Sequence, residues 1–428
     1  MQEYRVYVSQ LRVGVFIRLD KPWYEHPFLF GSFKIKNQEQ IDTLKELGFS
    51  TVICVPEKSD QLPKTTTSHC ELTPRDQEGN GQEQAPSPTK ALWDMKRERI
   101  ERLKAQRDRL NRCEKRFEQT LDRVRNMMTN IGTAMPEVVE EANSMVGDMV
   151  ASFLSDKDVV IHLMNSKSNQ EEVCYHSLNT TVLGLLLGRE HGLDAEALKK
   201  LGVALIFHDI GKQRIPKKIL YKPTPLTTPE LKLYNLHPTY GEEIVSARVP
   251  DFPDDAMKII SMHHETLDGT GFPAGIPGDR IPQLVRMASI ADTYDNHCNK
   301  LDVNASMTPY QALSYMFGKQ NKQLDRELVA LFVRCLGIYP PGTVVILSNG
   351  CVGMVVAVNI KNSLRPSVLL YDRDVPKNEA LVFDLEDDPE LSIVKTIHPA
   401  RLPAQVYDYL NPRMRISYFT DTPGTTDS

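Results

Sequence analysis

The chain has 428 residues, enough for two to three domains. Charged residues make up 25% and hydrophobic ones 41%, an ordinary globular balance, and a net charge of −5 excludes a general nucleic-acid binder. Seven scattered cysteines without a Cys-x-x-Cys pair exclude a disulfide scaffold, and the missing apolar span and leader point to a cytoplasmic protein.

In chain order, residues 1–57 read as a small α+β module. Strand-like runs are Tyr4–Val8, Gly14–Arg18, Phe28–Ile35 and Thr51–Val55. A helix fills Gln38–Leu47, with Asn37 as its cap and Gly48 as its stop. Residues 58–90, with Thr65-Thr66-Thr67, Gly79-Asn80-Gly81 and Pro86-Ser87-Pro88, are too polar and broken to pack and read as a disordered linker. Residues 91–149 form a connector that begins with one long charged helix over 91–133. There Leu103, Leu110, Phe117, Val124 and Ile131 recur every seven residues. This stripe admits a homodimeric coiled coil or a helix packed onto its own domain. Pro136 ends or kinks it, and the helical pattern resumes at Val138.

Residues 150–339 hold the chemistry. Glu172 and His176 stand four apart in a helical segment, on one face. His208-Asp209-Ile210-Gly211-Lys212 follows an apolar run, and His237 precedes Pro238. His263-His264-Glu265 leads into Asp268-Gly269-Thr270-Gly271-Phe272-Pro273, and Asp292 and Asp295 lie three apart further on. Each group alone has an ordinary structural explanation, but their joint occurrence points to a divalent-metal site. Histidine and carboxylate donors without thiolate suit iron, manganese, zinc, cobalt or nickel. Residues 340–428 turn β-rich. Thr343–Leu347, Asn349-Gly350 and Val352–Asn359 predict a hairpin, Ser367–Tyr371 a further strand, and Thr420–Ser428 a disordered tail.

At the histidine blocks the chain resembles the HD-GYP family of the HD phosphohydrolase superfamily. The match runs through His208-Asp209-Ile210-Gly211-Lys212, Ile215-Pro216, Lys222-Pro223, Glu230, His237-Pro238, Gly241, His263-His264-Glu265, Asp268-Gly269, Gly271 and Pro273. It covers residues 150 to 338, and residues 1–57 resemble a domain often placed before it. The resemblance implies an all-helical HD bundle flanked by the two small modules. It also implies hydrolysis of cyclic di-GMP to linear pGpG, and further to GMP in some members.

Carried over by position, it implies Glu172, His176, His208, Asp209, His237, His263, His264 and Asp292 as ligands of two or three iron or manganese ions. Glu172 belongs to the third ion, and Lys212 lies against the scissile phosphate. A carboxylate can span two metals, so Asp209 is assigned the bridge. A water between two cations loses its proton near neutral pH and supplies the nucleophile. Asp295 and Lys300 are candidates for substrate contact, with Asp295 equally able to orient a ligand. Asp268, Gly269, Gly271, Phe272 and Pro273 form a loop through which family members meet cyclic di-GMP synthases.

Two departures matter. Phe272 replaces the family tyrosine and loses its hydroxyl. Leu301 and Asn304 fall where the family places basic residues that grip phosphate. They keep two other readings open: a weakly active scaffold that binds partners, and a phosphohydrolase of another nucleotide.

Overall fold

A computed structural model describes residues 3–21, 26–28, 31–64, 88–155, 160–164, 172–300, 302, 305–373, 375, 377, 380, 382–411 and 416–421. The N-terminal module holds β1 (Tyr4–Tyr7), β2 (Phe16–Arg18), β3 (Ser32–Lys34), α1 (Gln38–Glu46) and β4 (Thr51–Cys54). The strands lie in the order β1-β4-β2-β3. Asn37 caps α1 by accepting from the Gln40 N–H at 3.1 Å, and Gly48 ends it with φ +74°. Val6, Ile17, Ile41, Leu44 and Val52 form a separate core for this module.

Most of the expected linker lies outside the described residues. Its last three residues belong to α2 (Pro88–Asn130), a single helix of 43 residues. From Cys113 onward, Phe117, Leu121, Val124, Met127 and Ile131 are each at most 4% exposed and join the main core. Over that half the helix packs onto its own chain, against α3 (Met135–Ser155) and α4 (Glu172–His191). The side chain of Leu103 lies outside the described residues. The helix stops before Pro136, which sits in the first turn of α3, where its missing N–H costs nothing.

Between α3 and α4 runs β5 (Val160–Leu163). After α4 come α5 (Ala195–Phe207), α6 (Lys217–Leu220), α7 (Thr228–Tyr234), α8 (His237–Arg248), α9 (Asp254–Met262), α10 (Gln283–Cys298), α11 (Pro309–Gly318) and α12 (Arg326–Leu336). Helix α4 is the central post. Leu178, Val182, Leu183, Leu185, Leu186 and Leu187 are at most 1% exposed, so it is apolar on every side and packs against α2, α3, α5, α10 and α12. Burying each such side chain stabilises the fold by about 1.5–3 kcal/mol.

The C-terminal strands are β6 (Val344–Leu347), β7 (Val352–Asn359), β8 (Ser367–Leu370), β9 (Val382–Asp384), β10 (Ile393–Ile397) and β11 (Tyr418–Asp421), with α13 (Ala404–Leu410) before the last. Two features depart from expectation. The sheet runs β10-β6-β7-β5-β11, so it takes in β5 from between two bundle helices. Thr420 and Asp421, expected in a disordered tail, belong to β11, which pairs antiparallel with β5 from Tyr418↔Leu163 to Asp421↔Val160. The β-rich region is thus sewn into the bundle. No described helix is long and apolar enough to cross a membrane.

Candidate metal centre and its cavity

The ends of helices place most of the site. His208 follows the last residue of α5, His263 and His264 follow α9, and His237 opens α8 one turn after α7. A helix end leaves carbonyls without intrahelical partners, and three of these histidines use them. His208 Nδ1 lies 2.7 Å from the Leu205 carbonyl, His237 Nδ1 2.8 Å from that of Tyr234, and His263 Nδ1 3.0 Å from that of Ile260. A carbonyl can only accept, so each Nδ1 carries the proton and each Nε2 presents a lone pair inward.

The Nε2 atoms converge on Asp209. Its Oδ2 lies 3.4 Å from His176 Nε2 and 3.6 Å from His208 Nε2. Its Oδ1 lies 3.3 Å from His237 Nε2 and 3.8 Å from His263 Nε2. Asp292 repeats the pattern. Oδ1 is 3.2 Å from His176 Nε2 and Oδ2 is 3.5 Å from His264 Nδ1. Two ion-sized groups result, His176/His208/Asp209 and Asp209/His237/His263/His264, with Asp209 common to both.

These donors fit divalent cations. Asp209 Oδ1 and His264 Nε2 are buried without a hydrogen-bond partner. His237 is near enough to Asp209 Oδ1, but its proton is on the other nitrogen. Acceptors facing acceptors in a buried space are unfavourable unless a cation lies among them. The charges are poised for it. Burial works against ionisation of Asp209, yet the Lys212 ammonium on its Oδ2 more than offsets it and holds its carboxyl well below the usual range. Burial lowers His264 to about 3, and burial with the neighbouring imidazoles lowers His263 well below its ordinary value, so both are neutral. His176 differs. Burial would lower it, but hydrogen bonds to Asp292 and Asp295 raise it to about 10.

Two glycines let the elements meet. A Cβ on Gly211 would stand 1.9 Å from the His237 carbonyl oxygen, and one on Gly271 would stand 2.5 Å from that of His264. The turn after His208 and the start of α8 therefore touch backbone to backbone.

A cavity of about 320 Å³ opens beside His176 and Asp209. Lys212 lines it with its ammonium on Asp209 Oδ2, and so does exposed Lys300. Asp295 borders the cavity with its oxygens already engaged. It is 2% exposed; its Oδ2 receives His176 Nδ1–H at 2.6 Å, and its Oδ1 accepts from Asn179 and Asn299. With both oxygens engaged inside the protein, it sets the orientation of the His176 ring. Glu172 begins α4, but its side chain lies outside the described residues, as do Leu301 and Asn304.

The Gly-Phe-Pro loop is fastened inward. Asp268 accepts from Thr266 and Thr270, Gly269 has φ +73°, and Phe272 lies against His264 with ring centroids 4.5 Å apart. Buried Glu265 accepts from the N–H groups of Ala274, Gly275 and Ile276. Pro273 is exposed.

Sequence reasoning missed several lining residues. Tyr221, Tyr234, Asn296, Asn299 and Ser417 all face the cavity. Asn296 and Asn299 carried a signal, each standing four residues after a site aspartate, and Asn296 donates to Asp292 at 2.7 Å. Ser417 carried none.

Comparison with known proteins gives the same picture. Residues 4–142 match a domain of unknown function (DUF3391), residues 149–328 the HD domain, and residues 344–405 a KOW domain associated with HD domain. A cyclic di-GMP phosphodiesterase of Pseudomonas aeruginosa is 28% identical over 376 residues, 86% of this chain and 84% of its own length. A cyclic di-GMP phosphodiesterase response regulator of Xanthomonas campestris is 31% identical over 35% of this chain and 39% of its own length. A 3'3'-cGAMP-specific phosphodiesterase of Vibrio cholerae is 29% identical over 48% of this chain and 38% of its own length. With its ligand-bearing helix ends brought together on Asp209, residues 149–328 form an HD domain, and the chain is similar over most of its length to a cyclic di-GMP phosphodiesterase.

Proposed function

We propose that the protein is a metal-dependent phosphodiesterase that hydrolyses cyclic di-GMP to linear pGpG, and onward to GMP. The observation that carries this is Asp209, whose two oxygens face two sets of imidazole lone pairs at the floor of an open cavity.

His176, His208, Asp209, His237, His263, His264 and Asp292 would hold two ions, with Asp209 shared. Glu172 is the candidate for a third. Nitrogen and oxygen donors without thiolate suit iron or manganese. When bound, such ions polarise a phosphate and bring the ionisation of water close to neutral pH.

The chain's own groups do the rest. Lys212 sets a fixed positive charge at the cavity wall, where a non-bridging phosphate oxygen gains most from it. Tyr221 and Tyr234 offer aromatic faces to a guanine, and Asn296 and Lys300 offer hydrogen-bond donors. Asp295 holds the His176 ring so that Nε2 faces the centre. Exposed Pro273 leaves the Gly-Phe-Pro loop a partner-facing tip, the part of it suited to a synthase domain.

A second reading, hydrolysis of another cyclic dinucleotide, is favoured by the match to the Vibrio cholerae enzyme. Elemental analysis with turnover on cyclic di-GMP, 3'3'-cGAMP and linear pGpG tests both. About two metal equivalents and preference for cyclic di-GMP are expected. Binding without turnover in metal-replete protein would favour a scaffold instead, and undiminished turnover after His208→Ala with Asp209→Ala would end the proposal.

A further inference from the structure

The His176 side of the centre is tied to the far end of the chain. Asn179, 2% exposed, stands one turn after His176 on α4, and Asn299 caps α10 one turn after Asp295. Each spends both of its side-chain N–H groups on the same two partners. One N–H of each goes to Asp295 Oδ1. The other goes to the Ile416 carbonyl, at 3.3 Å from Asn179 and 2.7 Å from Asn299. The amide oxygens accept from the backbone in turn: Asn299 from Ile416 N–H at 2.7 Å, Asn179 from Tyr418 N–H at 2.8 Å. Two asparagines thus pair with the C-terminal segment as a neighbouring strand would, using every donor they own.

The segment is fixed on its other side as well. Ser417 carbonyl accepts from Met164 N–H at 2.8 Å, Tyr418 hydroxyl meets that of Tyr294 at 2.7 Å, and β11 continues along β5. Ile416, Ser417 and Tyr418 are at most 6% exposed, and Ser417 still lines the substrate cavity.

We propose that the C-terminal segment Ile416–Tyr418 is a working part of the metal centre, with Asn179 and Asn299 as positioning residues that transmit its docking through Asp295 to the His176 ring. The inference rests on the metal-holding reading above. Asp295 without the two amides would be a buried carboxylate with one partner, and His176 would lose the group that fixes its tautomer. The segment also supplies a wall to the cavity, so its docking shapes the space for substrate. The β-rich region therefore communicates with the chemistry by a direct route of four hydrogen-bonded groups, and whatever loosens β11 from β5 loosens His176.

The test uses the full chain and Mn(II) alone as probe. Asn299→Ala should keep its circular dichroism yet bind Mn(II) about 10–100-fold more weakly than wild type. In the wild-type chain, which needs no variant to fold, saturating Mn(II) should slow hydrogen exchange at the Ile416 and Tyr418 amides about tenfold or more, because coupling between two sites is reciprocal. A folded Asn299→Ala with the wild-type titration curve would overturn the inference. So would exchange at those amides that ignores Mn(II) while the ion binds. A wild-type chain that takes up no Mn(II) would instead overturn the metal reading itself, and this inference with it.

Discussion

The two halves of the metal centre are built by different means. His237 and His263, in one half, are each fixed by a carbonyl three residues back, at a helix end, as is His208 in the other. His176 is fixed by Asp295, 119 residues away, which is itself held by a segment 117 residues beyond Asn299. The first half is assembled by local backbone geometry wherever its helices form. The second exists only when distant elements dock. The open cavity lies on the second side, touching His176 and Asp295 but none of His237, His263 or His264. Rigid local anchoring thus stands at the back, and the long-range assembly stands where the cavity opens.

The most destructive way to break this comparison is Asp209→Ala, which removes the member common to both halves. Turnover should fall about 10³-fold or more and neither ion should be retained. Retention of one full metal equivalent would show that a half can stand alone. Gly211→Ala attacks the local half without removing a ligand side chain. Its Cβ would overlap the His237 carbonyl, so unfolding free energy should drop by about 3 kcal/mol in urea titration. Lys212→Met isolates the substrate side. Turnover should fall about 10²-fold with metal content unchanged, and equal loss of metal would make it a structural partner of Asp209 only.

Acidity sharpens the contrast. His176 is raised to about 10, so it is cationic through the neutral range, and an ion taking its Nε2 must displace a proton. Affinity at this half should therefore rise with pH, about tenfold per unit between pH 6 and 8. His264, lowered to about 3, has no proton to lose there and adds no slope. Mn(II) titrations at three pH values would read two slopes, and a common slope would erase the distinction. The smallest effect is expected at Phe272→Ala, which removes the ring against His264 and should cost about 1 kcal/mol of stability.

Much of the local half was legible in the amino-acid order. His208-Asp209, His237-Pro238 and His263-His264 sit beside apolar runs that end helices, so residue type and position pointed the same way. The Asn37 cap, the Gly48 stop and the Asn349-Gly350 hairpin were readable for the same reason, since each is a short-range backbone requirement. The heptad stripe was read correctly as an apolar face, but its partner was not settled. A helix face specifies burial, not what buries it, and from Cys113 onward the chain's own bundle does so.

What the sequence by itself determined is the set of donors and the helices that carry them, because capping, periodicity and ligand chemistry act within a few residues. Only the tertiary structure decided that Asp295 carries the His176 ring on Oδ2, that Thr420 and Asp421 belong to a strand, and that Ser417 enters the cavity. Those outcomes depend on which buried polar group finds which partner across more than a hundred residues, and no local pattern records that choice.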